Sequence, residues 1–119
     1  MKEQNKINYV EFPATDIVAT KAFFSTVFGW TFIDYGTEYT CFTDQGVDGG
    51  FYKADKVANT ENGSALMVMY SAWLEDTLKA VEAAGGTIVK PIFDFPGGRR
   101  FQFTDPSGNE FGVWSDCLE

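Results

Sequence analysis

Loose alternation of apolar and polar residues in INYVEF, residues 7–12, together with its β-branched and aromatic content, predicts a strand that Pro13 ends. The period then lengthens. Asp16 stands where a helix cap is wanted, Phe24, Val27 and Phe28 share one helical stripe, and Gly29 is a natural stop, so a helix is expected from 16 to about 28. Strands follow at 30–35 (WTFIDY), 38–43 (EYTCFT) and, weakened by glycine, 47–52 (VDGGFY). Residues 53–63, KADKVANTENG, carry no period and read as a linker. The order then returns. SALMVMY at 64–70 is a strand, and a helix follows to about Ala84 with Leu74, Leu78 and Val81 at helical spacing. Gly85 and Gly86 stop it; TIVK at 87–90 is a strand, PIFDFPGG a loop, and RRFQFT and EFGVW the last two strands.

Each half therefore reads β-α-β-β-β, and the halves align in register. GWTFI at 29–33 matches GGTIV at 85–89, and Phe42-Thr43-Asp44 matches Phe103-Thr104-Asp105. The extra residues of the second half fall in the loop at 91–98, where insertion costs least. The reading is one domain over residues 1–119, with a first module at 7–52, the linker at 53–63 and a second module at 64–115.

Composition then removes whole classes of function. With 45% hydrophobic and 17% aromatic residues, 119 residues suffice for one packed core. A net charge of −8 repels polyanions, so neither nucleic acid nor an anionic membrane is expected as a partner. No apolar run approaches the roughly 20 residues of a spanning helix, and the polar start MKEQNK leads into no apolar signal segment. Cys41 and Cys117 lie outside any CxxC and fit reduced thiols in a cytoplasmic setting. Histidine is absent, which removes the commonest general base and the commonest transition-metal ligand together.

Three stretches, in order and at suitable distances, carry a family likeness: PATDIVATKAFFSTVFGW, VEAAGG and FTDPSGNEFGVW. From about residue 7 to 114 the chain resembles the vicinal-oxygen-chelate superfamily of glyoxalase I, bleomycin-resistance proteins and extradiol dioxygenases. The resemblance implies an α+β fold in which two tandem βαβββ modules curl into half-open barrels around a cleft. It also implies four metal-ligand positions, which here hold Tyr9, Gly50, Leu66 and Gly112. A divalent site needs several N, O or S donors converging at about 2.0–2.2 Å. This set does not supply them, so the fold is expected without the family's metal and with no other cofactor.

Period-two alternation sets further side chains on the face of those positions. Ile7 and Glu11 join Tyr9; Asp48 and Tyr52 join Gly50; Val68 and Tyr70 join Leu66; Glu110 and Trp114 join Gly112. The expected ligand-binding wall is Tyr9, Tyr52, Leu66, Val68, Tyr70 and Trp114, with open volume beside the two glycines. The same aromatic residues would equally fill a collapsed core, and the glycines would equally mark bulges. Glu110 is added to the ligand-binding residues at the end of the cleft, against the plainer reading of a solvated carboxylate directly after a turn. Of Arg99 and Arg100, alternation points one inward to meet a ligand anion; Arg100 is assigned that place, and the pair stays open. Glu11 is the candidate catalytic residue: burial mid-strand would raise its pKa toward that of a general base, against the plainer reading of an exposed or salt-bridged carboxylate. Two functions follow. One is a metal-independent protein that binds an aromatic or apolar small molecule, homodimeric because its sheets present strand edges. The other is a metal-independent lyase or isomerase with Glu11 as base. A third, an interaction module without a ligand, requires a filled cleft.

Overall fold

The computed structural model describes residues 2–117. Along the chain lie β1 (Tyr9–Ala14), α1 (Ile17–Phe28), β2 (Phe32–Asp34), β3 (Tyr39–Phe42) and β4 (Asp48–Lys53). Then come β5 (Met67–Tyr70), α2 (Leu74–Ala83), β6 (Thr87–Phe95), β7 (Gly98–Thr104) and β8 (Glu110–Ser115). They build two open four-stranded sheets, β1-β4-β3-β2 and β5-β8-β7-β6. In each sheet the first strand runs parallel to the last, and the remaining pairs are antiparallel. The repeated β-α-β-β-β pattern is thus realised twice with one topology.

Local chemistry sets the helix ends. The Asp16 carboxylate accepts from Ala19 N at 3.0 Å, and Gly29 closes α1 at φ +73°, where a left-handed residue lets Trp30 N reach back to Phe24 O at 3.3 Å. The core is largely phenylalanine. Phe12 and Phe51, paired across β1 and β4, stack at 5.6 Å, and Phe12 also meets Phe111 of β8 at 5.1 Å. Phe24 of α1 touches both Phe51 and Phe111, and Phe23 reaches Phe103 on β7. The first helix therefore packs on both sheets and joins the two halves through one core.

The structure departs from the sequence reading at several strand ends. β1 runs on through Pro13 to Ala14. It is an edge strand of its sheet, and a missing N–H is tolerated there. β5 begins only at Met67, so Leu66 belongs to the connection before it. The supposed loop PIFDFPGG is mostly strand: β6 continues through Pro91 to Phe95 and pairs with β7 down to Gly98. The extra length of the second half is absorbed by two register shifts, between Ile88 and Lys90 and between Lys90 and Phe93. Again the proline sits on an edge strand.

Candidate functional site

Alternation on β1 sends Val10, Phe12 and Ala14 toward the core and leaves Tyr9 and Glu11 exposed on the opposite, open face, while Pro13, next in that alternation, is buried. Pairing with β4 sets Tyr9 beside Asp48, Glu11 beside Gly50 and Pro13 beside Tyr52. β3 then brings Tyr39 opposite Tyr52 and Cys41 opposite Gly50. Tyr39 was not among the residues singled out from the sequence, yet it organises this face. Its hydroxyl donates to Glu11 Oε2 at 2.9 Å and shares a short hydrogen bond with the Tyr9 hydroxyl. Burial first, then the bonds to Tyr9 and Glu11, push the Tyr39 phenol well above its ordinary pKa, so it stays protonated.

The volume expected beside the two glycines divides unequally. A Cβ on Gly50 would collide with the Tyr39 hydroxyl. The tyrosine thus occupies the place where a β4 side chain would stand. At Gly112 a Cβ would rest 3.5 Å from Val68 Cγ2 and 3.6 Å from Leu66 Cδ2, ordinary contact with room to spare. Glu11 is exposed, so the burial on which its reading as a base leans is absent. Glu11 and Tyr52 also line a cavity of about 360 Å³, together with Lys56 and Ala65 of the connecting segment and Met67 of β5.

On the second sheet the sequence candidates form a separate group. Tyr70 and Trp114 are register partners on β5 and β8, and their rings meet edge to face at 5.2 Å. The Tyr70 hydroxyl donates to Asp116 Oδ1 at 2.6 Å, a bond that pushes its pKa up to about 12. Leu66 is half-buried and Val68 exposed beside Gly112. Arg100 lies over the rings of Phe93 and Phe95, at 5.3 and 5.9 Å, and donates to Gln102 Oε1 at 3.0 Å. Arg99 pairs instead with Glu75 of α2 at 2.5 Å.

Glu110 is not the solvated carboxylate its place after a turn suggested. It is buried and accepts from Thr60 N and Thr60 Oγ1, both at 2.8 Å, and from Gln102 Nε2 at 2.6 Å. Burial pushes its pKa up, but these bonds outweigh it and hold the carboxyl below its usual range. Thr60 comes from the connecting segment, which the sequence pattern left featureless. Hydrogen bonds and ring contacts therefore gather the candidates into two groups, Tyr9, Tyr39 and Glu11 on one sheet and Tyr70, Trp114, Arg100 and Glu110 on the other.

A divalent metal does not fit the positions the resemblance assigns to it. Tyr9 offers one phenol already engaged with Tyr39, Gly50 and Gly112 offer no side chain, and Leu66 offers no donor. Among the described residues, no three Cys, Asp or Glu gather as a metal ion would require. Nor is any helix among them long and apolar enough to cross a membrane.

Comparison with known proteins bears on both fold and family. A family profile described as Glyoxalase/Bleomycin resistance protein/Dioxygenase superfamily matches residues 6–113. The "Anthracycline biosynthesis protein DauV" of Streptomyces sp. (strain C5) is 33% identical, over 83% of this chain and 42% of its own length. The chain thus spans less than half of that curated relative. A glyoxalase-related enzyme from Fulvimarina pelagi superposes with a TM-score of 0.79 at 16% identity, covering 93% of this chain and 88% of that one. The fosfomycin resistance protein FosX from Listeria monocytogenes superposes at 0.76 with 18% identity, covering 95% and 94%.

Proposed function

Because the chain belongs to the glyoxalase/bleomycin resistance protein/dioxygenase superfamily, while its four ligand positions hold Tyr, Gly, Leu and Gly, we propose that it is a metal-independent small-molecule-binding protein. Its ligand is aromatic or otherwise apolar and lies on the open face of the first sheet. The observation that carries this reading is the Tyr39 hydroxyl, which fills the place beside Gly50 and ties Tyr9 to Glu11. A polar cluster flanked by exposed aromatic rings and a cavity is the usual make-up of a small-molecule site. The name of the curated relative, anthracycline biosynthesis, favours a polycyclic aromatic ligand. Tyr9, Tyr52, Leu66, Val68, Tyr70, Arg100 and Trp114 remain proposed contacts, with Glu110 supporting Arg100 through Gln102.

Because the candidates divide between two sheets, pairing of two copies through these faces would close one cleft from both groups. Light scattering should then give twice the 13.2 kDa chain mass; a species of single mass contradicts the pairing.

One observation favours the second reading, a metal-independent lyase or isomerase: Glu11 is accessible and already receives a phenolic hydrogen bond from Tyr39. Glu11→Gln separates the two once a thermal-shift screen of aromatic metabolites supplies a ligand. A ligand at 100 times its Kd stabilises by about 2.7 kcal/mol. For a binding protein, the variant should still bind that ligand, with affinity changed by about tenfold at most, and there is no turnover to lose. For an enzyme, loss of a positioned base costs about a hundred- to ten-thousandfold in rate while binding persists; that outcome replaces the binding reading.

A further inference from the structure

The hydrogen-bond directions on the first sheet's open face fix what kind of polar group it can receive. A carboxylate only accepts, so in the bond between Tyr39 and Glu11 the phenol gives its single hydrogen. Having none left, Tyr39 must accept in its bond with Tyr9, and Tyr9 gives up its hydrogen in turn. The chain therefore runs one way, from Tyr9 through Tyr39 to Glu11. Both hydroxyl hydrogens are spent inside the cluster. What these three residues have left to offer is acceptor capacity: lone pairs on the Tyr9 oxygen and on the Glu11 carboxylate. Asp48, beside Tyr9 across the β1–β4 pairing, adds a second carboxylate, whose Oδ1 already accepts from Asp44 N at 3.1 Å.

Resting on the binding reading above, we infer that the ligand presents hydrogen-bond donors to this cluster, and specifically that it is an aromatic or apolar molecule bearing a protonated amine. A ligand carboxylate or carbonyl would find no hydroxyl hydrogen there and would face Glu11 directly. An ammonium group finds charge-assisted acceptors and, in Tyr9 and Tyr52, ring faces suited to a cation. Both rings are more than a third exposed, 44% and 37%, so they are accessible. A net charge of −8 favours the approach of a cation in the same sense. Lys56 and the Tyr52 hydroxyl, which line the adjoining cavity, are the donors that would draw an anionic ligand instead.

Four probes of one shape decide the matter by calorimetric titration at low salt: 2-naphthylmethylamine, its N,N,N-trimethyl derivative, 2-naphthylmethanol and 2-naphthoate. The primary amine should bind about tenfold more tightly than the naphthoate, the factor that 1.4 kcal/mol makes. It should also bind more tightly than the trimethyl cation, which keeps the charge and lacks N–H donors. Glu11→Gln, an exposed and shape-conserving change, should cost the primary amine about tenfold and leave the alcohol within about twofold. Tighter binding of the naphthoate overturns the inference while leaving the binding reading intact, and so does equal binding of the two cations. Failure of all four probes to bind overturns both.

Discussion

Tyr39 and Gly50 form a matched pair, because the phenol of one lies where the side chain of the other would be. The consequence is an asymmetry between two glycines that look equivalent in the sequence. Gly50→Ala forces Tyr39 aside and also meets Thr40 O at 2.9 Å, so it should cost about 1–3 kcal/mol, the usual range for overpacking. Gly112→Ala meets nothing closer than 3.5 Å and should stay within about 0.5 kcal/mol of the parent. Urea unfolding of the two variants checks this; equal losses would contradict the placement of Tyr39. The face itself was legible, since alternation through Tyr9, Glu11 and Tyr52 needs only the period of a strand. Tyr39 was not, because the count started from four strands and β3 was not among them. The antiparallel register that sets Tyr39 against Tyr52 is the signal that would have found it.

The hairpin between β7 and β8 does more than reverse the chain. Asp105 Oδ1 accepts from Ser107 N at 3.0 Å and Asn109 N at 2.9 Å, which shapes the turn. Asn109 then donates to Pro13 O at 2.6 Å and accepts from Ala58 N at 2.9 Å, so the turn of the second half clasps the first half and the connecting segment. The motif was readable as a turn; its partners were not, because they lie far away in sequence. The same limit hid the extent of β6, where a proline reads as a break unless the strand is known to lie at an edge. Asp105 also makes stability depend on pH. Its Oδ2 is buried without a partner, and burial, opposed by backbone bonds from Asn109, Ser107 and Gly108, raises its pKa from 3.8 to about 6. The folded state then holds the proton more tightly than the unfolded one, and stability falls as pH rises from about 4 through 6. At 1.36 kcal/mol per unit this amounts to about 3 kcal/mol. Asp105→Asn keeps an acceptor oxygen without the charge, so the difference in stability between parent and variant should shift in the variant's favour from pH 4 to pH 7. Parallel urea midpoints across that range would contradict it.

Taken whole, the molecule is two copies of one module joined by a shared phenylalanine core, with the helices' side of each sheet buried and the other side carrying tyrosines, a tryptophan and carboxylates. The duplication was visible in the sequence because Gly29 and Gly85, and the two Phe-Thr-Asp triplets, recur in order. How α1 spans both sheets was not visible, because a helical stripe names the buried side and not what covers it. The family's fold is retained here, and on the proposed reading, in which the Tyr9–Tyr39–Glu11 cluster receives the ligand, binding should need no metal. An amide NMR titration of the chelator-treated protein with 2-naphthylmethylamine, repeated after adding Zn²⁺ or Mn²⁺, puts this to the test. The expected result is one affinity in both conditions, with shifts gathered at Glu11, Tyr39, Gly50 and Tyr52. Binding that appears only once metal is added, or shifts confined to Gly112 and Trp114 on the second sheet, would contradict it.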